Sequence, residues 1–352
     1  ERRGSSVPVY QQWIDTYACE SLLKRHLVRM VIAALFLLVA CSIDYRILRK
    51  LSPAAFGVGV VLLVVLLVFG HKIRETERWL TVLRVTFQPS EFARLALVMF
   101  VAYWVARKGT ELDEFKRGFL PVALAVVFVL GLIAAQPNYG SASATAVIAF
   151  LMLYLGGARV RHLLLLVLLM AGTAFLRVTS VGYVRARIST FLNPGEGISD
   201  GNWQLSQSLM ALGSGGIFGA GIGESRQKLA WLPDSHTDFI FSILGEEIGL
   251  LGTLAVSSVF LLLALRALKI STNSRDRFGY MMAVGVGCSV FVYAVLNMFV
   301  ATGLFPVTGL PLPFLSYGGS ALVVNAFSIG ILLNVSKKRR LQSPSRLRRS
   351  RA

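Results

Sequence analysis

Residues 119–135 read FLPVALAVVFVLGLIAA. Nothing in this stretch is charged, and its apolar residues do not alternate with polar ones as those of a barrel strand would. About 20 such residues, rising 1.5 Å each, cross the roughly 30 Å of hydrocarbon in a bilayer. Outward from it, eight further runs of the same kind occur, at about 27–43, 54–70, 91–106, 142–157, 161–176, 237–265, 280–300 and 314–335. The chain as a whole agrees: of 352 residues 55% are hydrophobic and only 15% charged, with a mean hydropathy of +0.65. Soluble domains carry roughly 25% charged residues, so this chain has too little polar surface to coat a globule. The reading is an all-α polytopic membrane protein with nine transmembrane helices.

The net charge of +18 points first to basic loops beside a membrane, not to nucleic acid. The connections 44–53, 107–118, 158–160 and 266–279 with the tail 336–352 hold twenty Lys and Arg. The opposite set, 71–90, 136–141, 177–236 and 301–313, holds nine although it includes the longest loop. The first set is therefore read as cytoplasmic, with a basic tail over 341–352. Counting back through nine helices leaves the polar segment 1–26 outside with no apolar run to carry it there. An upstream helix is therefore expected, ten in all, with 27–340 forming a single transmembrane domain. Cys19, Cys41 and Cys288 are far apart, and the four histidines are scattered, so neither a disulfide framework nor a metal cluster is readable.

Function is sought where polar residues persist. The outer loop 177–236 is far longer than the structureless loops of compact proteins. Within it Leu205, Leu209 and Leu212 recur at helical spacing, which predicts a short amphipathic helix, either at the outer membrane surface or packed on the bundle. The glycines of GSGGIFGAGIG (213–223) permit either a phosphate cradle of backbone N–H groups or tight helix–turn packing; the spacing fits no nucleotide loop. Thr237 is placed to cap the following helix, with Asp238 in its first turn, where the dipole favours an anion. The same aspartate, beside Phe239, Ile240 and Phe241 at the lipid boundary, could instead act as a general base. Glu91 and Arg94, three apart, share a helix face and are expected to pair. Glu246 and Glu247 are read as structural partners. Asn297, Asn325 and the Pro/Gly-rich PVTGLPLPFLSYGGS mark irregular backbone at an outer helix mouth, tolerated where it lines a cavity or water.

Four segments carry a resemblance: RWL…QPSEFARLAL, AQPNYGSA, QLSQSLMALGSGGIFGAGIGESRQKLAWLPDSHTDFIFSILGEEIG and GLPLPFLSYGGSAL. In this order they resemble the signature stretches of the SEDS family (shape, elongation, division and sporulation), its division branch more than its elongation branch. The resemblance covers nearly all of 27–340. It implies ten helices and a peptidoglycan glycosyltransferase that polymerises lipid II outside the cytoplasmic membrane, at the division septum. The implied partners are a class B penicillin-binding protein transpeptidase and other division-complex membrane proteins. It places the family's essential aspartate at Asp238 and makes Arg78, Glu91, Arg94, Lys228, His236 and Ser316 cavity residues for sugar and pyrophosphate. Two departures stand out: Asn138 where the family has Asp after Gln136 and Pro137, and Arg94 where it usually has Lys.

The implied reaction suits these residues. The acceptor 4-hydroxyl loses a proton as it attacks the donor's anomeric carbon, and pyrophosphate leaves without needing an acid. One carboxylate therefore suffices, where a glycosidase shows two. Lys228, Arg78, Arg84, Arg185 and Arg187 are the outer cations that could offset pyrophosphate charge. No cofactor or metal is required by the sequence; a divalent cation could assist, although one acid is weak ground for a tightly held ion. The rival readings are a lipid-precursor transporter, which should show internal repeats that are not found, and a non-catalytic scaffold.

Overall fold

The computed structural model describes residues 9–69, 71–73, 76–82, 85–180, 182–192, 200–229, 232, 236–274 and 276–341. Every one of the nine apolar runs is helical over most of its length: α1 (Val9–Ser42), α2 (Tyr45–Phe69), α3 (Pro89–Lys108), α4 (Leu120–Ala135), α5 (Tyr139–Leu155), α6 (Val160–Ser180), α9 (Ile240–Thr272), α10 (Arg277–Ala301) and α11 (Gly319–Leu341). Among the described residues seven helices are long and apolar enough to cross a membrane, and Tyr139–Leu155 and Val160–Gly172 are shorter apolar helices. The expected polar segment 1–26 is in part helix, because α1 begins at Val9.

The all-α reading needs one addition. The segment 71–90, read as a plain connection, contains β1 (His71–Ile73), β2 (Thr76–Val82) and β3 (Val85–Phe87) in an antiparallel ribbon of order β1-β2-β3. Its β-branched residues, Thr76, Thr81, Val82, Val85 and Thr86, suit a pleated surface. Pro89 then opens α3, where its missing N–H removes no helical bond.

The centre of the bundle is α3 and α10, most of whose residues are buried. Small residues let the backbones close, since lipid provides no hydrophobic drive between helices. At Gly285 of α10 a methyl group would meet Val98 and Met152, and at Gly330 of α11 it would meet Ala40 and the Leu37 carbonyl of α1. One corner is fastened by polar bonds. Asn334 accepts from the Tyr45 N–H at 3.2 Å and donates to the Cys41 carbonyl at 2.7 Å, and the Tyr45 hydroxyl donates to Asp276.

The long loop 177–236 carries α7 (Gly182–Leu192) and α8 (Asp200–Ser214). On α8 the buried face is Leu205, Gln207, Ser208 and Ala211, whereas Leu209 is exposed. Of the leucine stripe, Leu205 is buried and Leu212 packs against the Phe241 cluster, so only Leu209 departs from the packed side. Polar bonds fasten the same side: the Ser208 hydroxyl lies 2.6 Å from that of Ser242 and donates to the Ala301 carbonyl at 2.7 Å. Packing on the bundle, through α9 and the end of α10, is what the structure shows.

α9 is broken at Gly249, whose φ of 67° and ψ of −167° interrupt the helix. A break leaves carbonyls and N–H groups without helical partners, and in a membrane protein these must be met internally. The glycine segment meets them. The N–H groups of Ala220 and Gly221 bond the carbonyls of Glu246 and Glu247 (2.9 and 3.0 Å), while those of Leu250 and Leu251 bond the carbonyls of Gly216 and Ile217 (2.9 and 3.2 Å). Glycine is needed here: a Cβ at Gly215 would fall on the Gly245 carbonyl, and one at Gly219 on that of Glu247. Of the two readings of this run, tight packing is realised, and two of the N–H groups a phosphate would use are already taken.

Candidate active site

Asp238 lies on a turn that leads into α9. The helix starts at Ile240 behind Phe239, and no side chain caps it. The expectation that Thr237 caps the helix with Asp238 in its first turn is therefore corrected: both residues precede it. The reason is visible in the backbone, where three consecutive carbonyls are held from outside. The His236 carbonyl accepts from the Tyr317 N–H at 2.8 Å, that of Thr237 from the Ser316 hydroxyl, and that of Asp238 from Asn297 Nδ2 at 2.8 Å.

Each gripping group is itself fixed. Ser316 Oγ accepts from the Leu312 N–H at 2.7 Å, and Asn297 Nδ2 also donates to the Leu310 carbonyl at 2.7 Å. Phe314, between them, has a φ of 67°. A bulky residue in that region stores about 1–3 kcal/mol of strain, held here by the turn that delivers Ser316 and Tyr317. Phe239, the next residue after Asp238, is buried in an apolar cluster with Leu232, Ile243, Val300 and Val307. His236 is exposed, while Thr237 and Asp238 are half-buried.

One turn inward along α10 from Asn297 is Tyr293, on the same helix face. Its ring receives the Arg94 guanidinium, 4.1 Å from centroid to Cζ. Arg94 Nη2 donates to Glu91 at 2.7 Å and to Asn325 Oδ1 at 3.0 Å, so the expected pair forms and joins α3, α10 and α11. Glu91 and Arg94 are 1% and 2% exposed. Arg94 Nε and Nη1 and Glu91 Oε1 have no hydrogen-bond partner among the described residues. Groups of this kind are ordinarily met by water or by a bound polar group. The planar fork explains why arginine suits this position, since one ammonium would not both stack on Tyr293 and reach two acceptors.

Asn138, where the resemblance implies an aspartate, caps α5: its Oδ1 accepts from the Ser141 N–H and its Nδ2 donates to Ser90 at 3.3 Å. Asparagine caps about as well as aspartate, so the helix start needs no charge. Glu246 binds the returning loop, accepting from the Ser225 hydroxyl and from the N–H groups of Arg226 and Gln227. Glu247 pairs with Lys228 Nζ at 2.8 Å, and the same ammonium donates to the Gly223 carbonyl. Both glutamates are structural partners of the loop, and the Lys228 charge is matched locally.

The remaining cations are placed less fully. Arg78 is in β2, but its side chain and the whole of Arg84 lie outside the described residues. Arg187 of α7 donates to the Val307 carbonyl, and Arg185 is exposed. Among the described residues no three His, Cys, Asp or Glu side chains gather as a metal site. The sequence reading missed Tyr293 and Ser225, because an aromatic or a serine in such a chain carries no signal of its own. It singled out Asn297 and Asn325, with the Pro/Gly-rich turn, as marks of irregular backbone at a helix mouth, without naming the groups they bond.

Comparison with known proteins follows the same outline. A family model described as cell cycle protein, covering FtsW, RodA and SpoVE, matches residues 5–341. The chain is 39% identical over 316 residues to a protein of Trichlorobacter lovleyi named a probable peptidoglycan glycosyltransferase FtsW, covering 89% of this chain and 83% of that one. It is 38% identical to stage V sporulation protein E of Bacillus subtilis, over 89% of this chain and 86% of the relative. Among solved structures it matches a chain of a peptidoglycan synthase complex that coordinates polymerization and crosslinking, with TM-score 0.76 and 27% identity over 91% of this chain and 90% of that chain. The rod shape determining protein RodA of Thermus thermophilus matches with TM-score 0.65 and 27% identity over 91% of this chain and 88% of that one.

Proposed function

The chain belongs to the FtsW, RodA and SpoVE family of cell cycle proteins, and from that premise we propose that Asp238 is the general base of a peptidoglycan glycosyltransferase polymerising lipid II. The protein is an integral membrane enzyme of peptidoglycan synthesis. The proposed step is a single displacement. The O–H bond of the acceptor's 4-hydroxyl gives its proton to the Asp238 carboxylate while the oxygen bonds the donor's anomeric carbon. The bond from that carbon to phosphate breaks, and the polyprenyl pyrophosphate departs with the electron pair.

The observation that carries this reading is the half-buried carboxylate on a turn whose three carbonyls are gripped from α10 and the 310–317 turn. A base held in place saves the reorganisation that a mobile one would require. The unsatisfied atoms of Arg94 and Glu91 on α3, where Arg94 stacks on Tyr293 one turn along α10 from Asn297, support a polar substrate pocket on this side of the bundle. His236 and Ser316 border Asp238 as its pocket neighbours. Of the cations of the outer segments, Arg78, Arg84, Arg185 and Arg187 supply the field that stabilises the leaving pyrophosphate, while the Lys228 charge is balanced by Glu247.

The excess of basic residues in one set of connections supports an outward-facing loop 177–236 and a cytoplasmic C-terminus. Resemblance to a synthase complex supports a transpeptidase of the class B penicillin-binding type as partner, and the division branch supports work at the septum. The test is direct: purified protein with its transpeptidase is given labelled lipid II, and products are resolved by length. Glycan chains are expected; recovery of unreacted lipid II alone from folded complex would overturn the reading.

A further inference from the structure

We infer that Asn297 is a positioning residue for Asp238, acting through that residue's backbone carbonyl. The inference rests on the proposed role of Asp238 and goes beyond it by naming what holds the base. Asn297 is 1% exposed, in α10, and its two amide hydrogens go to the carbonyls of Asp238 and Leu310. One side chain thus ties the residue that carries the carboxylate to the Pro/Gly-rich segment 301–318 across the site.

The geometry explains why an amide is used. The two acceptors are backbone oxygens from different segments, and only a group with two donors on one atom can serve both. An aliphatic residue would leave both carbonyls buried and unmet, and a carboxylate would face two oxygens with oxygens. The neighbouring grips at His236 and Thr237 come from residues 316 and 317, on the same segment that Asn297 holds at Leu310. Asn297 is therefore the link by which α10, most of whose residues are buried, sets the position of the whole turn.

A carboxylate displaced by about 1 Å typically loses about 10²-fold in rate. Asn297→Ala is expected to lower the turnover of lipid II about 10–100-fold while the apparent KM changes less than about threefold. A purely structural residue could also lower turnover, so the decisive measurement is a double-mutant cycle with Asp238→Asn. If Asn297 acts through Asp238, removing it from a protein that already lacks the base costs almost nothing further. The double variant should then match Asp238→Asn within about twofold in single-turnover assays with labelled lipid II. All rates are taken per monodisperse complex with the transpeptidase.

Multiplicative losses in the cycle would overturn the positioning role, as would a turnover for Asn297→Ala within about threefold of the parent. If the alanine variant is not monodisperse, Asn297→Gln is scored by the same cycle. It keeps both donors but moves them by one methylene. Parental activity in Asp238→Asn alone would instead remove the base assignment. An inactive Asp238→Asn with an active Asn297→Ala would remove only the inference drawn here.

Discussion

An aspartate that precedes a helix without capping it can become asparagine with little effect on the fold, which makes Asp238→Asn a clean chemical probe. A lost charge near a helix end is worth about 0.3–1 kcal/mol, whereas a lost general base is worth about 10²–10⁴-fold in rate. Asp238→Asn is therefore expected to give a protein with a parental melting point that still binds its transpeptidase and polymerises lipid II at least about 100 times more slowly. Asp238→Glu keeps the base, displaced by a methylene, and should fall between. Polymerisation by the asparagine variant within a fewfold of the parent would exclude the assignment. At this scale the sequence was informative about chemistry and misleading about position. Thr237 and Asp238 match a helix start because capping preferences are local. The grips from Ser316 and Asn297 arrive from residues 59 and more positions away, which no local pattern encodes. Glu91 and Arg94 were legible because i,i+3 spacing is itself local.

The broken helix α9 and the glycine segment 213–223 behave as one element. Gly249 needs a positive φ and close backbone contact, since a Cβ there would meet Gly219 and Ile217. Gly249→Ala should accordingly destabilise the fold by more than the roughly 1 kcal/mol that an alanine clash-free at positive φ would cost, read as a lower melting temperature with less monodisperse protein. A parental melting curve would show that the break is not required. The Lys228–Glu247 pair decides a second point. If Lys228 serves chiefly to balance Glu247, Lys228→Ala should be harmful and the double variant Lys228→Ala/Glu247→Gln should recover most of the activity. If Lys228 meets pyrophosphate, the double variant should remain as slow as the single one. Here the sequence predicted two outcomes for the glycines, cradle or packing, and had no means to choose. The deciding partner, the broken stretch 245–251, looks in sequence like an ordinary helix with two glycines. The leucine spacing of α8 marked a helix correctly but could not say which turns pack, for a related reason. In a membrane protein the side facing lipid is as apolar as the side facing protein, so Leu205 and Ser208 are buried while Leu209 is exposed.

For the whole molecule, the apolar helices were readable because hydrocarbon thickness fixes the length of an apolar run, and among the described residues seven are long enough to cross a membrane. The ribbon at 71–87 was not, being short and carrying mixed residues. Orientation yields the remaining prediction. In a protein whose native cysteines are replaced, a cysteine at Glu224, exposed in the loop proposed to face outward, should react with an impermeant thiol reagent on cells with a permeable outer layer. One at Thr272, at the end of α9, should react only after lysis. Thr272 is preferable to its neighbour Ser271, which is 1% exposed. The reverse labelling would place Asp238 on the inner side and exclude a role in wall assembly. The four backbone bonds that join 216–221 to 246–251 also bear on how such proteins exchange parts. A surface loop is ordinarily the easiest piece to transplant between relatives, because little else depends on it. This one is not separable: it completes the hydrogen bonding of a helix that follows it in the chain. A chimera that imports 213–228 without 245–251 joins two halves of different origin across a backbone seam with no side chains to adjust, and the natural unit of inheritance runs unbroken from the start of α8 to beyond Gly249.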